Sequence, residues 1–363
     1  MTSSTGGLLR DILLDPHSVF EGEEPDWELL IRHARVSLLM TRLAVDLQDA
    51  DVYDRVPLPA RRYLDVALNL RDRQRVAAMN EIQHVKEALD SIDVPPLLLK
   101  GAAYIASELP PARLRVFSDF DILVPYDRLA DVELAMLNHG WVTTHTGDYD
   151  QRYYRKWMHE LPPMRHAKRQ SYLDIHHNIL PQTAVVTPDA TQLREFAEPA
   201  SAIPGVQVLC PEDMILHGVV HLFQDGEFDR GLRDLFDIRD LLMHFCSSEL
   251  EWQRLLDRAA LHDLLRPLYY AVEQLRLQLA LEVPAAIQSR LGASAPAAPI
   301  ARLMRGALRR ALVPPHETCS DRLTAPCKLV LFSRGHALKM PPHLLALHLG
   351  RKTLQGVGVL PKT

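Results

Sequence analysis

The stretch that decides the fold runs from Pro95 to Pro125, PPLLLKGAAYIASELPPARLRVFSDFDILVP. An apolar run, Leu97-Leu98-Leu99, enters Lys100-Gly101-Ala102-Ala103 and a short helical segment that Pro110-Pro111 closes. A second apolar run, Leu114 to Val124, carries Ser118-Asp119-Phe120-Asp121 among its members. Side chains at i and i+2 of a strand share a face, so Asp119 and Asp121 project together while Phe120 enters the opposite layer. Two carboxylates side by side on a buried strand repel and lose hydration unless a cation sits between them. Oxygen ligands on one rigid face suit Mg²⁺ that also holds a phosphate.

An isolated Asp-x-Asp is more often a solvated turn. Here Val116, Phe117, Ile122, Leu123 and Val124 flank the pair and place it in a strand. A strand–Gly–helix element precedes it. A third carboxylate, Asp174, lies in another strand-like run, Tyr172-Leu173-Asp174-Ile175-His176. Together these features point to an acidic, cation-holding site.

Composition sets the frame. The 363 residues allow about two domains at roughly 150 residues each. A hydrophobic fraction of 47% and a charged fraction of 24% are ordinary for a globular chain. The net charge of −5 demands neither nucleic acid nor a membrane as partner. Cys210, Cys246, Cys319 and Cys327 form no C-x-x-C pair, which suggests reduced thiols in a cytoplasmic chain and no zinc site among them. The opening MTSSTGGLLRDILLD lacks the pattern of a signal peptide, and no uncharged apolar run approaches the roughly 20 residues of a bilayer span.

The pattern predicts an α+β protein: a small mixed β-sheet core flanked by N-terminal and C-terminal helical regions. Residues 1–93 form the N-terminal helical region, with one helix from Asp26, its cap, to Asp49 and another from Ala60 to Ser91. Residues 94–205 form the core. Within it a helix from Asp127, again the cap, to His139 ends at Gly140, and strands follow at Trp141–His145 and Tyr172–Leu180. Arg152, Arg155, Lys156, Arg165, Lys168 and Arg169 crowd residues 150–170, as a solvated loop or as a cationic rim facing phosphate. Residues 206–291 form a helical domain. Residues 292–363 comprise a flexible linker or loop, GASAPAAPI, and a basic region with eleven Lys and Arg after residue 301 against Glu317 and Asp321. That region suits an acidic partner, a membrane surface, nucleic acid, or a helix docked through Leu344, Leu345, Leu347 and Leu349.

Several of these runs resemble a known family. Leu98-Leu99-Lys100-Gly101, Arg115, Ser118 to Val124 and Leu173-Asp174-Ile175-His176 look like the uncharacterised bacterial nucleotidyltransferases of the DNA polymerase β-like superfamily. The likeness extends to Arg71–Asn80, to His217-x-x-x-His221, to Leu232–Ile238 and to Phe332–Lys352. It implies transfer of a nucleoside monophosphate from a nucleoside triphosphate, ATP foremost, with release of pyrophosphate. It implies two Mg²⁺ ions, or Mn²⁺, held by Asp119, Asp121 and Asp174. Lys100, Gly101, Arg115, Ser118 and His176 would then meet the nucleotide. The implied acceptor is a small molecule, peptide or protein, with RNA left open by the basic tail. One departure stands out: where the superfamily carries a phosphate-binding Ser after the turn glycine, this chain has Ala102 and Ala103.

Other readings remain beside it. His176 serves equally as a core histidine. His217 and His221 share a helix face, but Gly218 stands where H-E-x-x-H needs Glu, which favours packing or nucleotide contact over zinc. Asp234 and Asp237 form salt bridges or approach the nucleotide. A non-catalytic nucleotide-binding scaffold is one alternative, and a metal-dependent phosphohydrolase built on His176, His177, His217 and His221 is another.

Overall fold

The computed structural model of the chain describes residues 7–21, 25–117, 119–145 and 147–344. The architecture is α+β, as the sequence pattern predicts, with one mixed sheet among many helices. Its strands are β1 (Leu97–Leu99), β2 (Asp119–Leu123), β3 (Trp141–Thr143), β4 (Met164–His166), β5 (Tyr172–His176), β6 (Glu198–Pro199) and β7 (Gln207–Val208). They lie in the order β3-β4-β5-β2-β1-β7-β6. β2 pairs antiparallel with β1 and parallel with β5, so it sits at the centre. Phe120, Ile122, Leu173 and Ile175 fill one face of that centre and are buried.

The long helix Leu58–Asp90 packs against the helices Met40–Asp49, Lys100–Ala106 and Leu129–Asn138. Leu64, Ile82, Val85 and Leu89 form its buried stripe, where apolar burial stabilises by about 25 cal/mol per Å². Glu81 in the same stripe would be costly alone, and Arg169 meets it with three hydrogen bonds from its guanidinium.

Several local expectations need correction. The helix from Asp26 to Asp49 is two helices, Trp27–Val36 and Met40–Asp49, separated where Leu38 takes φ +57. Both bury their apolar faces in the same core, so the periodicity continues across the break. Asp26 does cap, accepting from Leu29 N–H. Asp127 does not: it lies in the 3₁₀ turn Tyr126–Arg128, and the helix Leu129–Asn138 starts without a side-chain cap. Pro110 and Pro111 open the helix Pro110–Leu114 instead of closing the one before, because first-turn N–H groups need no partner. The run from Leu114 is therefore extended strand only over Asp119–Leu123. The strand at Trp141 ends at Thr143, and the one at Tyr172 ends at His176.

The basic segment 150–170 is the helix Asp148–Trp157 followed by β4, and two of its cations are engaged within the fold. Arg155 binds Glu133 and Arg169 binds Glu81. Within the run 292–300 a short loop joins the helix that ends at Gly292 to the next, Ala298–Ala311, which buries Met304, Ala307 and Leu308.

The C-terminal region is docked as far as it is described. Helix Thr324–Lys339 packs on Ala298–Ala311 and on Pro211–Gln224. It crosses the end of the latter at Gly335, where an added Cβ would lie 2.7 Å from Asp225 O and 2.8 Å from Gly226 Cα. Gly226 itself takes φ +81 there, a conformation that glycine adopts without steric cost. The crossing brings Lys339 Nζ to 2.9 Å from Asp225 Oδ1. Leu345, Leu347, His348, Leu349 and Lys352, which carried part of the expected tail, lie outside the described residues, as does Ser118. Among the described residues no helix is long and apolar enough to cross a membrane.

Gly335→Ala should destabilise the protein by about 1–3 kcal/mol, because the obstructing atoms are backbone and cannot turn away. Gly292→Ala, with nothing within 4 Å, should be neutral or slightly stabilising. Urea unfolding of the two variants checks the contrast, and equal midpoints would contradict it.

Candidate functional site

The site is built by register. β2 and β5 run parallel with Asp121 opposite Asp174, Asp119 opposite Tyr172 and Leu123 opposite His176. Residues in register share a face, and alternate residues of one strand share it too. Asp119, Asp121, Asp174 and His176 therefore lie on one side of the sheet, with the apolar residues between them on the other. Asp121, at 5% exposure, is the most enclosed of the three carboxylates.

β1 delivers Lys100 to the same place. Leu99 pairs with Asp121, and the helix Lys100–Ala106 begins at the next residue. Lys100 takes φ +44, a left-handed conformation costing a side-chain-bearing residue about 1–3 kcal/mol. The ammonium reaches Asp121 Oδ1 at 3.1 Å. Gly101 follows with the Phe117 ring against it: a Cβ there would fall 2.3 Å from Phe117 Cδ1. Arg115 stacks its guanidinium over that ring, 4.8 Å from the centroid, and pairs with Asp237. Arg115 thus links the glycine turn to Asp237 on the helix Gly231–Phe245. Asp234 pairs with Arg233. Ala102 and Ala103, at 2% and 1% exposure, belong to the core.

Four charged groups balance one another on the acidic face. Burial alone would raise the Asp121 pKa, yet Lys100 and His176 outweigh it and hold the carboxyl well below its usual range. His176 donates from Nε2 to Asp121 Oδ1 at 3.0 Å, and its Nδ1 lies 3.4 Å from Glu160 Oε2. Burial works against the imidazolium, but these two carboxylates raise its pKa above the ordinary histidine value. Burial also raises Glu160. Asp174 is pushed up to about 7, first by burial and next by the negative charge of Asp121. The two neighbouring carboxylates thus differ in their readiness to ionise.

The sequence reading missed Glu160 and His159. Neither sits in an apolar strand pattern, and only the antiparallel bridge between Glu160 and His176 carries them to the acidic face. Among the described residues, His159, Glu160 and His176 are the one group of three or more His, Cys, Asp or Glu with donor atoms within 4.8 Å of one another. His217 and His221 lie outside that group. The charge of Lys100 depresses the pKa of His221, and burial followed by Lys100 depresses that of His217 well below the ordinary value. His177 packs edge-on against Tyr126. The histidines proposed for a phosphohydrolase are therefore not gathered as a set. Asp225, paired with Lys339 and 3.6 Å from His221, is the other acidic group the sequence did not single out.

A family described as uncharacterised nucleotidyltransferase matches residues 23–279, more than two thirds of the chain. Among solved structures, the nucleotidyltransferase toxin MenT4 of Mycobacterium tuberculosis is similar at 12% identity and a TM-score of 0.30, over 73% of this chain and 98% of that one. No curated protein matches.

The raised Asp174 pKa has a consequence for stability. The unfolded chain loses this proton near pH 4, the folded chain only near pH 7. Between those values the folded state binds more protons, so stability falls as pH rises through the window and the loss is complete above it. In chelator-treated protein Asp174→Asn should raise the melting temperature at pH 8 by a few °C, at roughly 1–2 °C per kcal/mol for a chain of this length. The gain should shrink toward pH 5. A gain that is constant across pH 5–8 would contradict the stated origin.

Proposed function

The chain belongs to the uncharacterised nucleotidyltransferase family, and from that premise we propose that the acidic face of β2 and β5 transfers a nucleoside monophosphate from a triphosphate, ATP foremost, to a hydroxyl-bearing acceptor. The observation that carries the reading is the parallel register that sets Asp121 beside Asp174, with Asp119 on the same face. Three carboxylate donors on adjacent rigid strands fit hard divalent cations, Mg²⁺ or Mn²⁺, and the reluctance of Asp174 to ionise reflects a charge deficit that such ions would fill.

When bound, a pair of such ions neutralises the triphosphate and makes an acceptor hydroxyl more acidic. Asp119 and Asp121 would hold the ion that carries the triphosphate, and Asp174 would complete the second position. The acceptor oxygen bonds to the α-phosphorus as the bond to the bridging oxygen of the β-phosphate breaks. Pyrophosphate leaves with that oxygen, and Asp174 receives the acceptor proton. Lys100, aimed by its left-handed backbone, turns from Asp121 toward the phosphates. His176 holds Asp121 in place from the other side. With Ala102 and Ala103 in the core, phosphate contact falls to Lys100 and to backbone N–H groups at the turn. The acceptor would be a small molecule, a peptide or a protein.

The test is pyrophosphate release, with intact-mass detection of acceptors that gain one nucleoside monophosphate, in each of the four triphosphates with Mg²⁺ or Mn²⁺. Asp121→Asn and Asp174→Asn should each slow the reaction by ~100-fold or more, about 2.7 kcal/mol at 1.36 kcal/mol per tenfold. Transfer by either variant at the wild-type rate would refute the assignment.

A further inference from the structure

His159 and Glu160 have no part in the proposed nucleotidyl transfer, and they form a constellation with His176, whose Nδ1 faces away from Asp121 toward Glu160. The run through Glu160 lies antiparallel to the end of β5, fixed by His177 N–H to His159 O at 2.8 Å and Leu161 N–H to Ile175 O at 2.8 Å. The two histidine rings stand 5.2 Å apart between centroids. His176, at 3% exposure, keeps Nδ1 buried in an ion pair with Glu160 that falls short of a hydrogen bond, and His159 Nδ1 is buried with no hydrogen-bond partner. Buried polar atoms in such a state are uncommon and call for a missing partner.

The partner these atoms fit is a metal ion. Two ligands each about 2.0–2.1 Å from zinc, at the tetrahedral angle, stand roughly 3.4 Å apart. His176 Nδ1 and Glu160 Oε2 are separated by 3.4 Å. The third donor, from His159, lies within 4.8 Å of both, so a side-chain adjustment of about an ångström closes the set. The other nitrogen of His176 already makes the contact that orients metal-bound histidines, donating from Nε2 to the Asp121 carboxylate. A donor set of two imidazoles and one carboxylate selects a borderline transition dication over Mg²⁺, which prefers oxygen throughout.

We propose that His159, Glu160 and His176 bind one zinc-class ion, separate from the ions on Asp119, Asp121 and Asp174, with the fourth position left to water or substrate. The ion would tie the run at 159–161 to the end of β5 and hold the histidine that supports Asp121.

The full-length chain is tested by equilibrium dialysis against Zn²⁺ with excess Mg²⁺ present, followed by elemental analysis. One zinc per chain should be retained. His159→Gln and Glu160→Gln should each weaken retention at least tenfold, while Asp119→Asn/Asp174→Asn should retain zinc and lose nucleotidyl transfer. That double variant separates the two readings, because transfer fails there with the zinc site intact. Co²⁺ added to wild type should give the visible absorption of a four-coordinate ion with nitrogen ligands, a readout independent of whether the variants fold. Wild-type protein that retains no zinc, or variants that retain it as tightly as wild type, would overturn the proposal.

Discussion

Parallel pairing of two short strands sets the central electrostatic problem of this molecule. It puts Asp121 and Asp174 side by side in a partly desolvated place, where like charges interact more strongly than in water. The neighbouring groups respond to that problem. Lys100 leans in from the preceding strand with a backbone conformation that a lysine adopts at a cost, and His176 leans in from the next position on the same face. Asp121 is thereby held ionised well below the usual carboxylate range, while burial and the charge of Asp121 push Asp174 up to about 7. Neighbouring carboxylates pushed apart in this way are a feature of functional sites.

The helical surroundings serve the same end by bracing and enclosing. Arg115 reaches from the loop before β2 to Asp237 on the helix Gly231–Phe245, and its stack on Phe117 fixes the ring that Gly101 must accommodate. Helix Pro211–Gln224 brings His217 and His221 within electrostatic reach of Lys100. The chain's later helix, Thr324–Lys339, crosses over the end of that one through two glycines and supplies Lys339 to Asp225. The matched family region ends at residue 279, so this last brace comes from outside it.

How far the site was legible follows from how each residue is placed. Asp119, Asp121 and Asp174 are visible because each interrupts an apolar run, and period-2 alternation fixes their face without any knowledge of the fold. Lys100 and Gly101 are visible because a strand that breaks at a glycine and turns helical has few purposes. His159 and Glu160 are not, since no pattern in their own segment announces them. Arg115 is visible as a residue but not as a brace, because its partner Asp237 is 122 positions away. The break at Leu38 was hidden for the opposite reason: both helices bury apolar residues in one core, so the stripe looks continuous.

Local periodicity and the burial of apolar side chains were enough to show that Asp119, Asp121 and Asp174 lie in strands, which face the first two share, and that the class is α+β. That β5 runs parallel to β2, in the register that opposes Asp121 to Asp174, is a property of the folded chain. Strand order and register are settled by packing between segments far apart in the chain, and periodicity within one segment carries no record of its neighbour. The same reason governs His159 and Glu160: their position beside His176 is a property of a strand pairing, not of the residues themselves.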